Sequence, residues 1–253
     1  MTAISQYTLD LDCATGVLPE AVELRLLPSH SRLVDTELEA SITAEWEAKL
    51  AQHPRMFNGA KFRYGCARMV DGGRVCFELA LTDYRSMIGT SLSSRLPEIA
   101  SRGEPRLLAN AVGNGAVVET SDRCVMLLLR SPHLLEAPNT YVFPGGHPEP
   151  KSVGLEVWRE AELEEHARRA AGGEAATRGA AEALERRVRD ECFASVRREV
   201  VEELGCRDAD LCPEGGTPHV RPVGARTRGP VAARTRAGAR AHALVETAAL
   251  RAR

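Results

Sequence analysis

Arg198-Glu199-Val200-Val201-Glu202-Glu203-Leu204-Gly205 places three carboxylates at positions i, i+3 and i+4. On a helix, residues at these spacings share a face, and like charges there cost roughly 0.2–0.5 kcal/mol per pair unless a cation joins them. A hard divalent ion answers that pattern. Mg²⁺ takes oxygen ligands, keeps several waters, and is usually held by one or two carboxylates together with substrate phosphates. The octapeptide alone leaves a second reading open, a solvated Glu-rich helix face with no ion.

The residues on either side favour the ion site. Positions 198 to 206, ending at Cys206, match the second half of the Nudix box, an Arg-Glu pair followed by Glu-Glu and a Gly-apolar step. The box carries an acid eight residues before its arginine; Asp190 stands at that position, and the adjacent Glu191 could also serve. The opening glycine stands far upstream, in Gly145-Gly146-His147-Pro148-Glu149-Pro150, with about 40 residues inserted before Asp190. Phe143-Pro144-Gly145-Gly146 ahead of a split box resembles the animal branch of Nudix pyrophosphatases that acts on UDP-glucose and UDP-galactose. Ile42-Thr43-Ala44 with Trp46-Glu47, Lys61-Phe62-Arg63, Leu81-Thr82-Asp83-Tyr84-Arg85 and Leu129-Arg130-Ser131 resemble stretches of that family in the same order. The resemblance covers roughly residues 1 to 206.

It implies a Nudix α/β/α sandwich with a mixed sheet, preceded by a small N-terminal α/β domain. On this basis residues 1–104 are expected to form the N-terminal domain and 105–213 the Nudix hydrolase domain, with a helical insertion at about 151–189. Residues 214–253 are left as an Arg/Ala-rich tail. The implied reaction is Mg²⁺-dependent hydrolysis of a nucleotide-sugar pyrophosphate to UMP and a sugar 1-phosphate. Catalysis would rest on Glu199, Glu202, Glu203 and Arg198, with Glu199 and Glu203 as metal ligands. Arg198, one turn before Glu202, would steady the carboxylates by an ion pair. For the substrate, the resemblance points to Phe57 and Tyr84 for the base, whose flat faces also suit core packing. It points to Arg130 for a phosphate, where an edge-strand charge is the alternative, and to His147 and Glu149 in the Gly-Gly-His-Pro-Glu-Pro loop. Val142 stands where the family carries an acidic substrate contact.

Composition permits such an enzyme. A chain of 253 residues with 43% hydrophobic content can bury a substantial core, and a net charge of −2 exerts no global pull on nucleic acid. The 7 cysteines are scattered without a Cys-x-x-Cys pair, which suggests neither a zinc site nor a disulfide framework. The start of the chain lacks the blocks of a signal peptide, and no stretch approaches the ~20 apolar residues of a membrane span. The expected setting is cytoplasmic, with the nucleus as an alternative, and no membrane partner.

Period-2 alternation predicts three strands in the first hundred residues, around Tyr7–Leu11, Val22–Leu26 and Val75–Leu81. Between the second and third, Thr36-x-x-Glu39 offers a capping box, and Leu38, Ile42, Trp46 and Leu50 recur at helical spacing before Pro54. Gly115–Thr120 and Cys124–Leu129 read as buried strands that begin the Nudix sheet. The insertion reads as two surface helices broken at Gly172-Gly173, with Val157, Trp158 and Leu163 as apolar anchors. From Arg221 onward the tail is rich in arginine, alanine and glycine, and Glu246 is its only acid. That is poor strand sequence and reads as disordered. Two further function classes follow from it: a weak or inactive nucleotide-sugar binder, if the last Nudix strands are missing, and nucleic-acid binding through the basic tail. The second is disfavoured because the tail lacks interleaved aromatics.

Overall fold

Val22, Leu24 and Leu26 alternate with Glu23 and Arg25, and in the computed structural model these residues form strand β1 (Val22–Leu26) with the three apolar side chains buried. The structure describes residues 11, 16–120, 122–132, 134, 136–155, 175–211 and 240–244. The strand expected around Tyr7–Leu11 lies almost wholly outside them. β1 pairs in parallel with β3 (Arg74–Asp83), and β2 (Ala60–Val70) pairs antiparallel with the other edge of β3, giving a mixed sheet in the order β1-β3-β2. β2 was not among the expected strands, because its alternation is interrupted. A register shift between Tyr64 and Cys66 lets Phe62 and Tyr64 face the core, while Cys66 pairs opposite Glu78 on the other face.

Helix α1 (Thr36–Gln52) follows the expected apolar spacing, with Leu38 and Ile42 buried and Trp46 and Leu50 half-buried. Its cap differs from the expected box. Asp35 is the N-cap, its carboxylate accepting from the Leu38 amide at 2.9 Å, so Thr36 is already helical. Asp is as good a cap as Thr, and Glu39 is drawn instead to Arg32. Helix α2 (Tyr84–Gly89) is seated against α1 at Gly89, where an added Cβ would lie 2.8 Å from the Cα of Ile42. Helix α3 (Leu96–Ser101) adds Ile99 to the small cluster with Leu38, Ile42, Leu107 and Leu108.

The second sheet is built on β4 (Asn114–Glu119). One edge receives the two-residue strand β7 (Gly145–Gly146) and the other receives β8 (Arg240–Leu244), both antiparallel. β8 lies within the tail expected to be poor in strands. Ladder bonds are made by the backbone, and a sequence without an apolar pattern can supply them. The rest of that tail falls outside the described residues. Cys124–Leu129 was expected as a buried strand and is half-buried instead: Met126 packs inward, and Val125, Leu127 and Leu129 are exposed. Only β5 (Leu128–Leu129) is regular there, paired with β6 (Tyr141–Val142).

Helix α4 (Ala175–Leu204) joins the two sheets. Ala181, Val188, Cys192, Val196 and Val200 recur along one face and are all buried. Val188 and Cys192 pack with Leu24, Leu26, Phe62 and Leu79 of the first sheet, and Val196 and Val200 pack with Ala116 and Val118 of the second. The segment 175–189 is therefore continuous with the carboxylate helix and carries core residues, where a surface excursion was expected. Residues 156–174, with Val157, Trp158, Leu163 and the Gly172-Gly173 break, lie outside the described residues.

Arg63 ties the first sheet to its surroundings. It is 2% exposed and donates to the carbonyls of Leu108 at 3.1 Å, His30 at 2.6 Å, Pro105 at 3.0 Å and Tyr64 at 3.3 Å. Buried carbonyls left without a donor are costly. Replacing Arg63 with Met is expected to lower unfolding stability by about 3 kcal/mol or more. Urea denaturation followed by circular dichroism measures this, and Arg63→Lys should recover only part of the loss.

Candidate active site

Two glycines decide how close the upstream loop comes to α4. An added Cβ on Gly145 would sit 2.2 Å from the Asn114 carbonyl oxygen and 2.6 Å from the Gly115 Cα, so β7 lies against β4 with no room for a side chain. An added Cβ on Gly146 would sit 2.4 Å from Oε1 of Glu199. The Gly145 amide donates to Oε2 of Glu203 at 3.0 Å. Glu199 and Glu203, one turn apart on α4, are thus both set against the Gly145-Gly146 backbone; Glu199 is half-buried, and Glu202 and Glu203 are exposed to solvent.

Of the two upstream acids, Glu191 is the one that faces the interior. It is 6% exposed, pairs with Arg198 at 2.6 Å, and accepts from the Glu149 amide at 3.2 Å. Asp190 is exposed and pairs with Arg189 at 2.8 Å. Arg198 therefore reaches back to Glu191, in place of the Glu202 pairing that helical spacing suggested. The pair fastens the Glu149 end of the loop to the helix. Behind it, Asn114 Nδ2 donates to the Cys192 carbonyl at 2.6 Å and to Ser195 Oγ at 2.8 Å, which pins β4 to the same helix.

The electrostatics follow from this crowding. Partial burial raises the Glu199 pKa, and Glu203 and Glu202 push it the same way, while Lys61 and Arg198 oppose them. Lys61 on β2 was not among the expected site residues. Burial lowers its pKa, and Glu149, Glu199 and Glu136 counter that effect. A half-buried lysine whose charge acts on Glu149 and Glu199 is a candidate member of the site, and its position on β2, opposite Thr82 of β3, could be read only from sheet pairing. His147 is pushed down to about 4, first by burial and then by the cations Lys61 and Arg130. Arg130 Nε donates to the Glu136 carbonyl at 2.9 Å. Tyr84 stands edge-on to Trp46 with ring centroids 6.1 Å apart. Its amide donates to the Gly59 carbonyl at 2.9 Å, so the loop of Phe57 lies beside Tyr84. Phe57 itself is 78% exposed, which removes core packing as its role. Val142 lies in β6 opposite Leu128.

The donor set suits Mg²⁺. Glu199 and Glu203 offer oxygen only, and two carboxylates leave the remaining positions of an octahedral ion to water and phosphate. Burial first, and then the neighbouring Glu203 and Glu202, raise the Glu199 pKa, and a cation between the carboxylates would relieve the second of these.

Comparison with known proteins gives the family. No family model matches the chain. It is 39% identical over 221 residues to Nudix hydrolase 9 of Arabidopsis thaliana, an alignment covering 82% of this chain and 67% of that protein. The chain belongs to the Nudix hydrolase family. This Nudix chain is also 35% identical over 159 residues to the human uridine diphosphate glucose pyrophosphatase NUDT22, covering 58% of this chain and 52% of that protein. For the Bos taurus protein of the same name the identity is 33%, with 58% and 55% covered. The match thus spans about half the length of these pyrophosphatases.

Two outcomes test the geometry. Gly145→Ala meets backbone and is expected to lower stability, whereas Gly146→Ala meets a carboxylate end and should displace Glu199 at little cost to folding. Thermal melts separate the two. His147, with a folded pKa of about 4 against an ordinary value of 6.5, stays neutral in the fold. Its contribution is fully present above about pH 6.5 and is lost as pH falls toward 4, by at most about 3 kcal/mol. In His147→Asn the acid-induced loss of stability across that window should be correspondingly smaller.

Proposed function

We propose that this Nudix hydrolase cleaves the pyrophosphate bond of UDP-glucose or UDP-galactose, with Mg²⁺ held by Glu199 and Glu203, releasing UMP and a sugar 1-phosphate. The observation that carries the reading is the seating of those two carboxylates against the Gly145-Gly146 backbone. The similarity to UDP-glucose pyrophosphatases supports the substrate class. When bound, Mg²⁺ supplies charge neutralisation for the diphosphate and lowers the pKa of a coordinated water.

The chain's own residues would do the positioning that dominates phosphoryl transfer. Arg198 holds Glu191 and, through it, the amide of Glu149, so the substrate loop keeps its distance from the helix. Lys61 and Arg130 offer cations to the phosphates, Arg130 in a fork that suits bidentate contact. His147, neutral at working pH, can accept or donate a hydrogen bond without adding charge. Phe57, exposed beside Tyr84, is free to stack on a base. Exposed Glu202 is an additional ligand or a helper at the water. The expected compartment is the cytoplasm.

Steady-state hydrolysis of a panel of nucleoside diphosphate derivatives, with and without Mg²⁺, tests the proposal. UDP-sugars should be turned over only with the ion, and Glu199→Gln and Glu203→Gln should each lower kcat by roughly a hundredfold or more. Binding of UDP-glucose without release of UMP would instead make the chain a nucleotide-sugar binder and overturn the proposal.

A further inference from the structure

On the face of the first sheet opposite its core, three side chains from distant stretches converge. His30 ends a 3-10 turn (Pro28–His30), Cys66 follows the register shift in β2, and Glu78 lies opposite Cys66 on β3. His30 Nε2 is 2.9 Å from Glu78 Oε2, and the Cys66 thiol donates to the same oxygen at 3.3 Å. One nitrogen, one sulfur and one oxygen donor all lie within 4.8 Å of one another. From these positions we infer that His30, Cys66 and Glu78 form a second metal site, selective for a Zn²⁺-class ion and independent of the carboxylate site on α4.

The donor set argues for the class. Zn²⁺ takes imidazole and carboxylate at about 2.0–2.2 Å and thiolate at about 2.3 Å, so tetrahedral ligand pairs stand roughly 3.3–3.6 Å apart. The two spacings to Glu78, 2.9 and 3.3 Å, need only a small expansion to admit the ion, and the imidazole and thiol are within 4.8 Å of each other. A hard ion such as Mg²⁺ gains little from a thiolate, whereas Zn²⁺ and Co²⁺ do. Three protein ligands leave the fourth position to water.

The backbone builds this cluster. An added Cβ on Gly65 would sit 2.4 Å from Cγ and 2.6 Å from Nδ1 of His30, so the imidazole lies directly on the glycine at the register shift. Without that shift, Cys66 would keep the parity of Phe62 and Tyr64 and face the core. The buried Arg63 guanidinium holds the His30 carbonyl and so fixes the turn that carries the ring. Arg68 Nη2 bonds the other Glu78 oxygen, Oε1, at 2.7 Å, orienting the carboxylate and leaving Oε2 to the cluster. Its positive charge works against affinity. Burial, and after it Glu78, push the Cys66 thiol up to about 11, so an entering ion displaces that proton to solvent as the sulfur–metal bond forms.

The full chain titrated with Co²⁺ should show the near-ultraviolet thiolate-to-cobalt charge-transfer band, saturating at one ion per chain and bleached by Zn²⁺. Cys66→Ser should abolish the band, and His30→Gln should weaken Co²⁺ binding at least about tenfold. Cys124→Ser, Cys206→Ser and Glu199→Gln should leave the band intact. Alkylation of Cys66 in the wild-type chain, read by peptide mass spectrometry, should be slowed by Zn²⁺, and this arm needs no variant to fold. No charge-transfer band, a band that survives in folded Cys66→Ser, or alkylation unaffected by Zn²⁺ would each overturn the site and leave the three residues as a hydrogen-bonded fastening.

Discussion

Gly145 and Gly146 are the point at which three parts of the chain touch, and the site exists because neither residue carries a side chain. Gly145 lies against the backbone of β4, and Gly146 lies against the carboxylate of Glu199. A β-carbon at either place would force the loop off the strand or the acid off the loop. With both absent, a backbone amide reaches Glu203, and the negative helix face gains a fixed wall on one side. Burial, and after it the neighbouring Glu203 and Glu202, raise the pKa of Glu199. A divalent cation, as proposed, would relieve the part of that shift that comes from the neighbouring carboxylates.

Helix α4 makes that contact durable. Its apolar face serves both sheets, with Val188 and Cys192 in one cluster and Val196 and Val200 in the other, so the carboxylates project from an element that neither sheet can release alone. The buried Glu191 adds a polar fastening, holding Arg198 on one side and the amide of Glu149 on the other. Removing Arg198 leaves the buried Glu191 charge with little solvent to replace it. The proposed metal site and the proposed substrate loop are thereby coupled through one helix.

The split Nudix box was legible because its parts are local. Helical spacing alone aligns Glu199, Glu202 and Glu203, and β1, β3 and α1 declare themselves through period-2 and period-3.6 patterns. Whatever depends on pairing between distant strands could not be read this way. β2 hides its alternation behind the shift at Gly65, Lys61 enters the site only through the position of β2, and β8 pairs by backbone with no apolar signature. Spacing points to Asp190, whereas the acid that Arg198 pairs with is the adjacent Glu191, because that pairing turns on which of two neighbours faces the interior. The same limit hid His30, Cys66 and Glu78. Scattered cysteines suggested no zinc ligands, yet a bulge and a turn bring one of them to a histidine and a glutamate.

If the glycine pair and the two α4 carboxylates together define a hard-cation site, electron paramagnetic resonance of Mn²⁺ titrated into the chain in a Cys66→Ser background should detect it. One bound ion per chain is expected, with affinity falling at least about tenfold in Glu199→Gln and also in Gly146→Ala, which leaves every carboxylate in the sequence. Mn²⁺ affinity unchanged in both variants, with each still folded, would contradict it.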